Sequence, residues 1–168
     1  MPSLAMKAPT LAFLVRHPAH FIALGFGAGL SPIAPGTVGT LVALPIAWLL
    51  NAHAGTGGWI AAIIVAAVVG TWSAHVTARD LGVADHGGIV IDEIAAFLLV
   101  LFFAGPNPLR IAIAFVLFRA FDILKPPPIG EIDRSMKNAF GVMADDFVAA
   151  GYTLIVLAVA LRVIGAST

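Results

Sequence analysis

The chain has 168 residues, 60% of them hydrophobic and 11% charged, against about 25% charged in an ordinary soluble domain. Nine basic and nine acidic residues leave no net charge, which excludes the polycationic face that nucleic-acid binding needs. With no cysteine the chain has no thiolate nucleophile, thiolate metal site or disulfide, and a mean hydropathy of +1.02 makes lipid the natural solvent for much of its surface.

Residues 1–18 carry Lys7 and Arg16 but no clear small-residue cleavage site, so this stretch is read as retained. Residues 20–30 are apolar, short and glycine-rich, the pattern of an interfacial or re-entrant helix. Apolar runs follow at 38–50, 59–78, 94–104, 109–124 and 147–164. Crossing the hydrocarbon core takes roughly 20 apolar residues, with a range of about 17–25. The runs 59–78 and 147–164 meet that length, whereas 94–104 and 109–124 span only if their flanking turns stay helical. The run 38–50 contains Pro45, which removes an intrahelical hydrogen bond and is expected to kink it. The expectation is an all-α polytopic membrane bundle of about five spans plus the short N-terminal helix. No polar linker divides residues 1–168, so they are read as a single membrane-embedded domain.

The breaks between runs alternate in character. Residues 51–58 and 105–108 are short and uncharged, whereas 79–88 and 125–144 are long and hold eight of the eighteen charged residues. Five spans place both charged loops and the N-terminus on one side. Lys7, Arg16, Arg79, Arg119, Lys125, Arg134 and Lys137 fall at that face, and only Arg110 and Arg162 at the other. Such an excess of Lys and Arg marks the cytoplasmic side. All nine acidic residues also lie at or near this face, so it holds more than an orientation signal.

Four polar clusters converge there. Asp92 and Glu93 open an apolar helix, and Asp145 and Asp146 are placed at the start of another. A carboxylate at a helix N-terminus complements the dipole for about 0.3–1 kcal/mol, so capping is the plain alternative. One carboxylate suffices for a cap, however, and each helix supplies two. Asp92 also follows the apolar residues 89–91 and so lies near the membrane boundary, where ionisable groups are costly and usually functional. Arg119, Asp122 and Lys125 recur every third residue, an arc of about 120° on one helix side. Lys125 could simply complement the helix end before Pro126, but Arg119 sits inside an apolar run and needs an anionic partner. Residues 31–40 form either a plain interhelical turn or a loop whose Gly36 and Gly39 let backbone N–H groups approach a phosphate. No Lys follows the glycine, which excludes a Walker A loop. His86 is either an ordinary loop histidine or a proton donor.

Hard oxygen ligands in this number suit Mg²⁺, and the scarcity of histidine with the absence of cysteine argues against zinc. Carboxylates, Mg²⁺ and Arg/Lys together suit phosphoryl transfer. A proton- or ion-coupled transporter built on the Arg119/Asp122 pair is the alternative from another class. It predicts polar residues through the bilayer depth, whereas the runs 59–78, 94–104 and 147–164 are apolar at their centres. A lipid-binding scaffold without turnover would not need paired carboxylates.

The motifs Ser31-Pro-x-x-Pro-Gly-Thr37, Asp85-His-Gly-x-Ile-Val-x-Asp-Glu93, Arg119-x-x-Asp-x-x-Lys-Pro126-x-Pro-Ile129 and Gly141-x-Met-x-Asp-Asp146 resemble the phosphatidylglycerophosphatase A family, in order and at family-like spacing from Gly25 to Gly151. The Asp-rich pattern of CDP-alcohol phosphotransferases is absent. One departure is the stretch Asn138-Ala-Phe-Gly141, where the family pattern is richer in glycine. The resemblance implies Mg²⁺-dependent removal of the terminal phosphate of phosphatidylglycerophosphate, a lipid in the bacterial inner membrane, at a cytoplasmic site. It implies Asp92, Glu93, Asp122, Asp145 and Asp146 as metal ligands or bases; the candidate catalytic groups are then Asp92, Asp122 and Asp146, with His86 as the candidate proton donor to the leaving hydroxyl. Arg119 and Lys125 would hold phosphate, and Ser31, Gly36, Thr37 and Thr40 would meet phosphate or the glycerol headgroup.

Overall fold

The structure, a computed structural model, describes residues 9–83, 86–136 and 138–165. Lys7, Asp85 and Lys137 of the charge and motif patterns lie outside the described residues. Eight α-helices and one 3-10 helix account for the described regular structure, with no strand among the described residues. In order they are α1 (Leu11–Leu14), α2 (Pro18–Ala23), the 3-10 helix (Gly25–Leu30), α3 (Pro35–His53), α4 (Thr56–Leu81), α5 (Ile91–Ala104), α6 (Pro108–Leu124), α7 (Ile129–Ser135) and α8 (Ala139–Gly165).

Helix α5 is the hub. Its sequence is apolar on every side after Glu93, and a helix of that kind must be buried. Ten of its 14 residues are buried, and α3, α4, α6 and α8 all pack against it. Phe97 carries the α5–α6 contact, with its ring centroid 5.3 Å from that of Phe118 and 5.9 Å from that of Phe115. Trp59 of α4 meets Phe102 of α5 at 5.7 Å. The outward faces stay apolar: Trp48, Ile64, Val68, Val116 and Ile155 are all exposed. Water would not tolerate such a surface, and lipid does.

Three helices, α3, α4 and α8, are long and apolar enough to cross a membrane. The expected set of about five also needs α5 and α6, which are 14 and 17 residues long. Helix α3 continues through Pro45, from Pro35 to His53. The short N-terminal element at 20–30 is broken. Helix α2 ends at Ala23, and Phe26 (φ 60°) and Gly27 (φ 108°) interrupt the 3-10 helix that follows.

Two local features differ from expectation near the charged end. The segment after Lys125 is no plain loop, because α7 forms there and packs against α8, with its Ile129 fully buried. In addition α8 begins at Ala139, so Asp145 and Asp146 lie nearly two turns inside it and not at its start. Dipole effects fade within the first turn, so capping does not explain this pair. Asn138 sets the early start by accepting a 2.9 Å hydrogen bond from the Gly141 amide.

Candidate active site

The helix alternation brings the start of α3, the start of α5, the end of α6 and the early turns of α8 to one end of the bundle. Asp92 and Glu93 lie in the first turn of α5. The Val90 amide just before them donates to Ala23 O at 2.9 Å and ties this helix end to α2. Asp146 reaches the same point from α8. One oxygen from each of Asp92, Glu93 and Asp146 falls within 4.8 Å of the other two. Asp92 and Asp146 are 6% and 3% exposed, so water screens this cluster little.

Arg119 of α6 borders the cluster. Its Nη1 makes a close ion pair with Asp122 Oδ2 at 2.6 Å and a longer one with Glu93 Oε1 at 3.6 Å. It also donates to Thr40 Oγ1 at 3.4 Å, and that hydroxyl donates in turn to Gly36 O at 2.8 Å. Asp122 stands close enough to interact electrostatically with both Glu93 and Asp146. Gly36 is required by this crowding. A methyl group there would collide with Glu93 Oε1 and lie 3.2 Å from Arg119 Nη2. Gly39, nearly a turn further along α3, gives the same close approach to the Val90 side chain.

Lys125 closes α6 in the left-handed region at φ 44° and ψ 57°, an uncommon conformation for a residue with a side chain. From there its Nζ reaches Asp145 Oδ2 at 2.8 Å. Asp145 Oδ1 accepts from the Asp146 amide at 3.1 Å. The two adjacent aspartates thus divide, Asp145 toward Lys125 and Asp146 toward the α5 carboxylates.

Four buried polar atoms at the centre have no hydrogen-bond partner among the described residues: Asp92 Oδ1, Glu93 Oε2, Asp146 Oδ2 and Arg119 Nε. Buried polar groups are almost always paired, so such a concentration requires a cause. Three converging carboxylates, each with an orphan oxygen, fit a hard divalent cation, and an orphan guanidinium N–H fits an anion beside it.

Of the residues singled out in the sequence, Asp92, Glu93, Asp122, Asp146, Arg119, Thr40 and Gly36 come together here, and the Lys125–Asp145 pair adjoins them. Thr37 stands partly exposed in the first turn of α3. Ser31 donates to Ile33 O at 2.8 Å within its own loop. His86 likewise bonds locally, its Nδ1 accepting from the Gly88 amide at 3.0 Å, which leaves the proton of the neutral ring on Nε2. Missed in the sequence was a pair, a buried histidine and an exposed aspartate, that fastens α2 to α4. His20, 1% exposed, sets Nε2 3.0 Å from Asp80 Oδ2 and Nδ1 3.0 Å from Phe13 O. Sixty residues separate the two, and no local spacing reports such a contact.

Known proteins show similarity over most of the chain. A protein of Escherichia coli named phosphatidylglycerophosphatase A is 40% identical over 136 residues, 80% of this chain and 78% of the relative. Its namesake in Haemophilus influenzae is 39% identical over 150 residues, 89% of this chain and 92% of the relative. A Bacteroides thetaiotaomicron protein, provisionally named a phosphatidylinositol-3-phosphatase, is 36% identical over 152 residues, 86% of this chain and 94% of its own. No solved structure gives a significant match. The phosphatidylglycerophosphatase A family model matches residues 21–161, a span that takes in every carboxylate and cation of the cluster, and the chain belongs to that family.

Proposed function

We propose that the protein hydrolyses the terminal phosphate monoester of phosphatidylglycerophosphate, giving phosphatidylglycerol and phosphate, with Mg²⁺ at the cytoplasmic face of a bacterial inner membrane. The names of the E. coli and H. influenzae relatives support the reaction. The observation that carries the metal-assisted chemistry is the set of three orphan carboxylate oxygens beside an orphan Arg119 donor.

Asp92, Glu93 and Asp146 would hold the Mg²⁺, with Asp122 close by. When bound, the ion neutralises phosphate oxygens and makes a water more acidic. Arg119 offers Nε to a phosphate oxygen while Asp122, Glu93 and Thr40 fix its other end, so the guanidinium is oriented before substrate arrives. Lys125, on a partly exposed stem, adds a second positive charge at the site's edge. A carboxylate of the cluster accepts the proton of the attacking water. The phosphorus–oxygen bond to glycerol breaks, and the departing oxygen takes a proton from solvent, since a neutral His86 whose Nδ1 accepts the Gly88 amide would have to become an imidazolate to supply one. Gly36 keeps α3 close enough to exclude bulk water from the Glu93–Arg119 contact.

Purified protein incubated with phosphatidylglycerophosphate should release inorganic phosphate in the presence of Mg²⁺ and stop when EDTA is added. Phosphatidylinositol 3-phosphate, suggested by the name of the Bacteroides relative, should be the poorer substrate. Release that EDTA does not affect would refute the metal assignment.

A further inference from the structure

We propose that the apolar groove between α3 and α6 holds an acyl chain of the phospholipid whose phosphate sits at Arg119. This rests on the lipid-phosphatase reading and deepens it. The groove has a volume of about 580 Å³. Leu44 and Trp48 of α3 form one wall, Ala112 and Val116 of α6 the other, and Leu101 of α5 contributes to the floor.

Its two ends differ, and that difference identifies the occupant. At one end Leu41 directly follows Thr40, and Val116 lies three residues before Arg119. The Arg119–Thr40 hydrogen bond at 3.4 Å joins the two walls there, so the apolar surface runs straight into the phosphate-competent site. At the other end Asn51, Pro106 and Pro108 bound the groove. From Leu41 to Asn51 the helical rise is about 15 Å, enough for a substantial stretch of hydrocarbon. A trough with a guanidinium at one end and apolar walls along its length matches an amphiphile carrying phosphate at its head. A helix of a second copy would need the apolar walls but not the cation.

A larger groove of about 750 Å³ between α4 and α8 does not fit this role. On α8 it is lined by Phe140, Met143, Ala144 and Phe147, a single stripe. At 100° per residue Asp146 lies roughly 110° away from that stripe, on the side facing α5.

The test uses the full chain in detergent micelles, with long-chain and short-chain phosphatidylglycerophosphate compared side by side. Ala112→Trp fills the groove from an exposed position, and Val68→Trp does the same in the α4–α8 groove. Ala112→Trp should lower kcat/KM for the long-chain lipid about tenfold relative to the short-chain lipid, the effect of about two methylenes left unburied. Val68→Trp should leave that ratio unchanged. Equal loss on both lipids in Ala112→Trp, or a shifted ratio in Val68→Trp, would overturn the groove assignment while the phosphatase reading stands. A changed oligomeric mass in Ala112→Trp with an unchanged ratio would assign the groove to a second copy instead. Wild-type protein that releases no phosphate from either lipid would sink the phosphatase reading, and the groove proposal with it.

Discussion

Asp146 shows how much can turn on one residue. It is buried on α8, has an unpaired oxygen, and brings its carboxylate beside Asp92 and Glu93, two further acidic groups. Asp146→Asn keeps the volume and removes one negative ligand. Loss of an outer-shell partner typically costs about 10–100-fold in metal affinity or activity. Direct loss of a ligand should exceed that, so turnover should fall by more than about 100-fold while the variant stays folded by circular dichroism. Mn²⁺ binding, followed by electron paramagnetic resonance, should weaken in parallel; unchanged Mn²⁺ affinity would argue against Asp146 as a ligand. The chemistry of this residue was legible in the sequence, but its position was not. Asp92 and Glu93 do open their helix, which begins at Ile91. Asp145 and Asp146 look like a second helix start only if Asn138 is passed over. Asn138 is a favourable N-cap residue and was the available signal.

At the scale of elements, α6 carries Arg119, Asp122 and Lys125, and its hold on α5 decides where they point. Phe118 lies next to Arg119 in sequence, is fully buried, and meets Phe97 of α5. Phe118→Ala should cost about 3–5 kcal/mol by opening a cavity. The loss should appear as a lower midpoint of thermal unfolding in detergent, together with reduced turnover, because the guanidinium loses its backing. An unchanged midpoint would mean that α6 is held elsewhere, with the contact between Phe121 and Tyr152 of α8 the next candidate. The long helices were readable from apolar length. Helix α7 was not, since three prolines precede it and it spans only seven residues. The role of Thr40 was also out of reach: its hydroxyl serves Arg119 across 79 positions of sequence.

For the whole molecule, alternation of helices places Gly55 and Gly87 at opposite ends of α4 and the loop beyond it. The chain has no cysteine of its own, so single cysteines can map the two faces without background. Both glycines have open space where a side chain would go. A membrane-impermeant maleimide should label Gly55→Cys in intact spheroplasts, and Gly87→Cys only after the membrane is opened. Labelling of both from outside would refute the up-and-down arrangement, and the reverse pattern would invert it. The charge asymmetry that predicts this orientation was fully visible in the sequence. That the polar clusters of α3, α5, α6 and α8 share this face was readable too, but which side chains meet there was not, because packing partners at the centre of a uniformly apolar chain leave no periodic mark. The central helix α5 has a further consequence. Its 14 residues rise about 21 Å, against a hydrocarbon core of about 30 Å. A hub that short, surrounded by longer helices, either sets its carboxylates below the headgroup plane or draws the bilayer thinner around it. Thicker bilayers would then oppose the site and thinner ones would favour it, making membrane thickness a rate-setting variable for this protein.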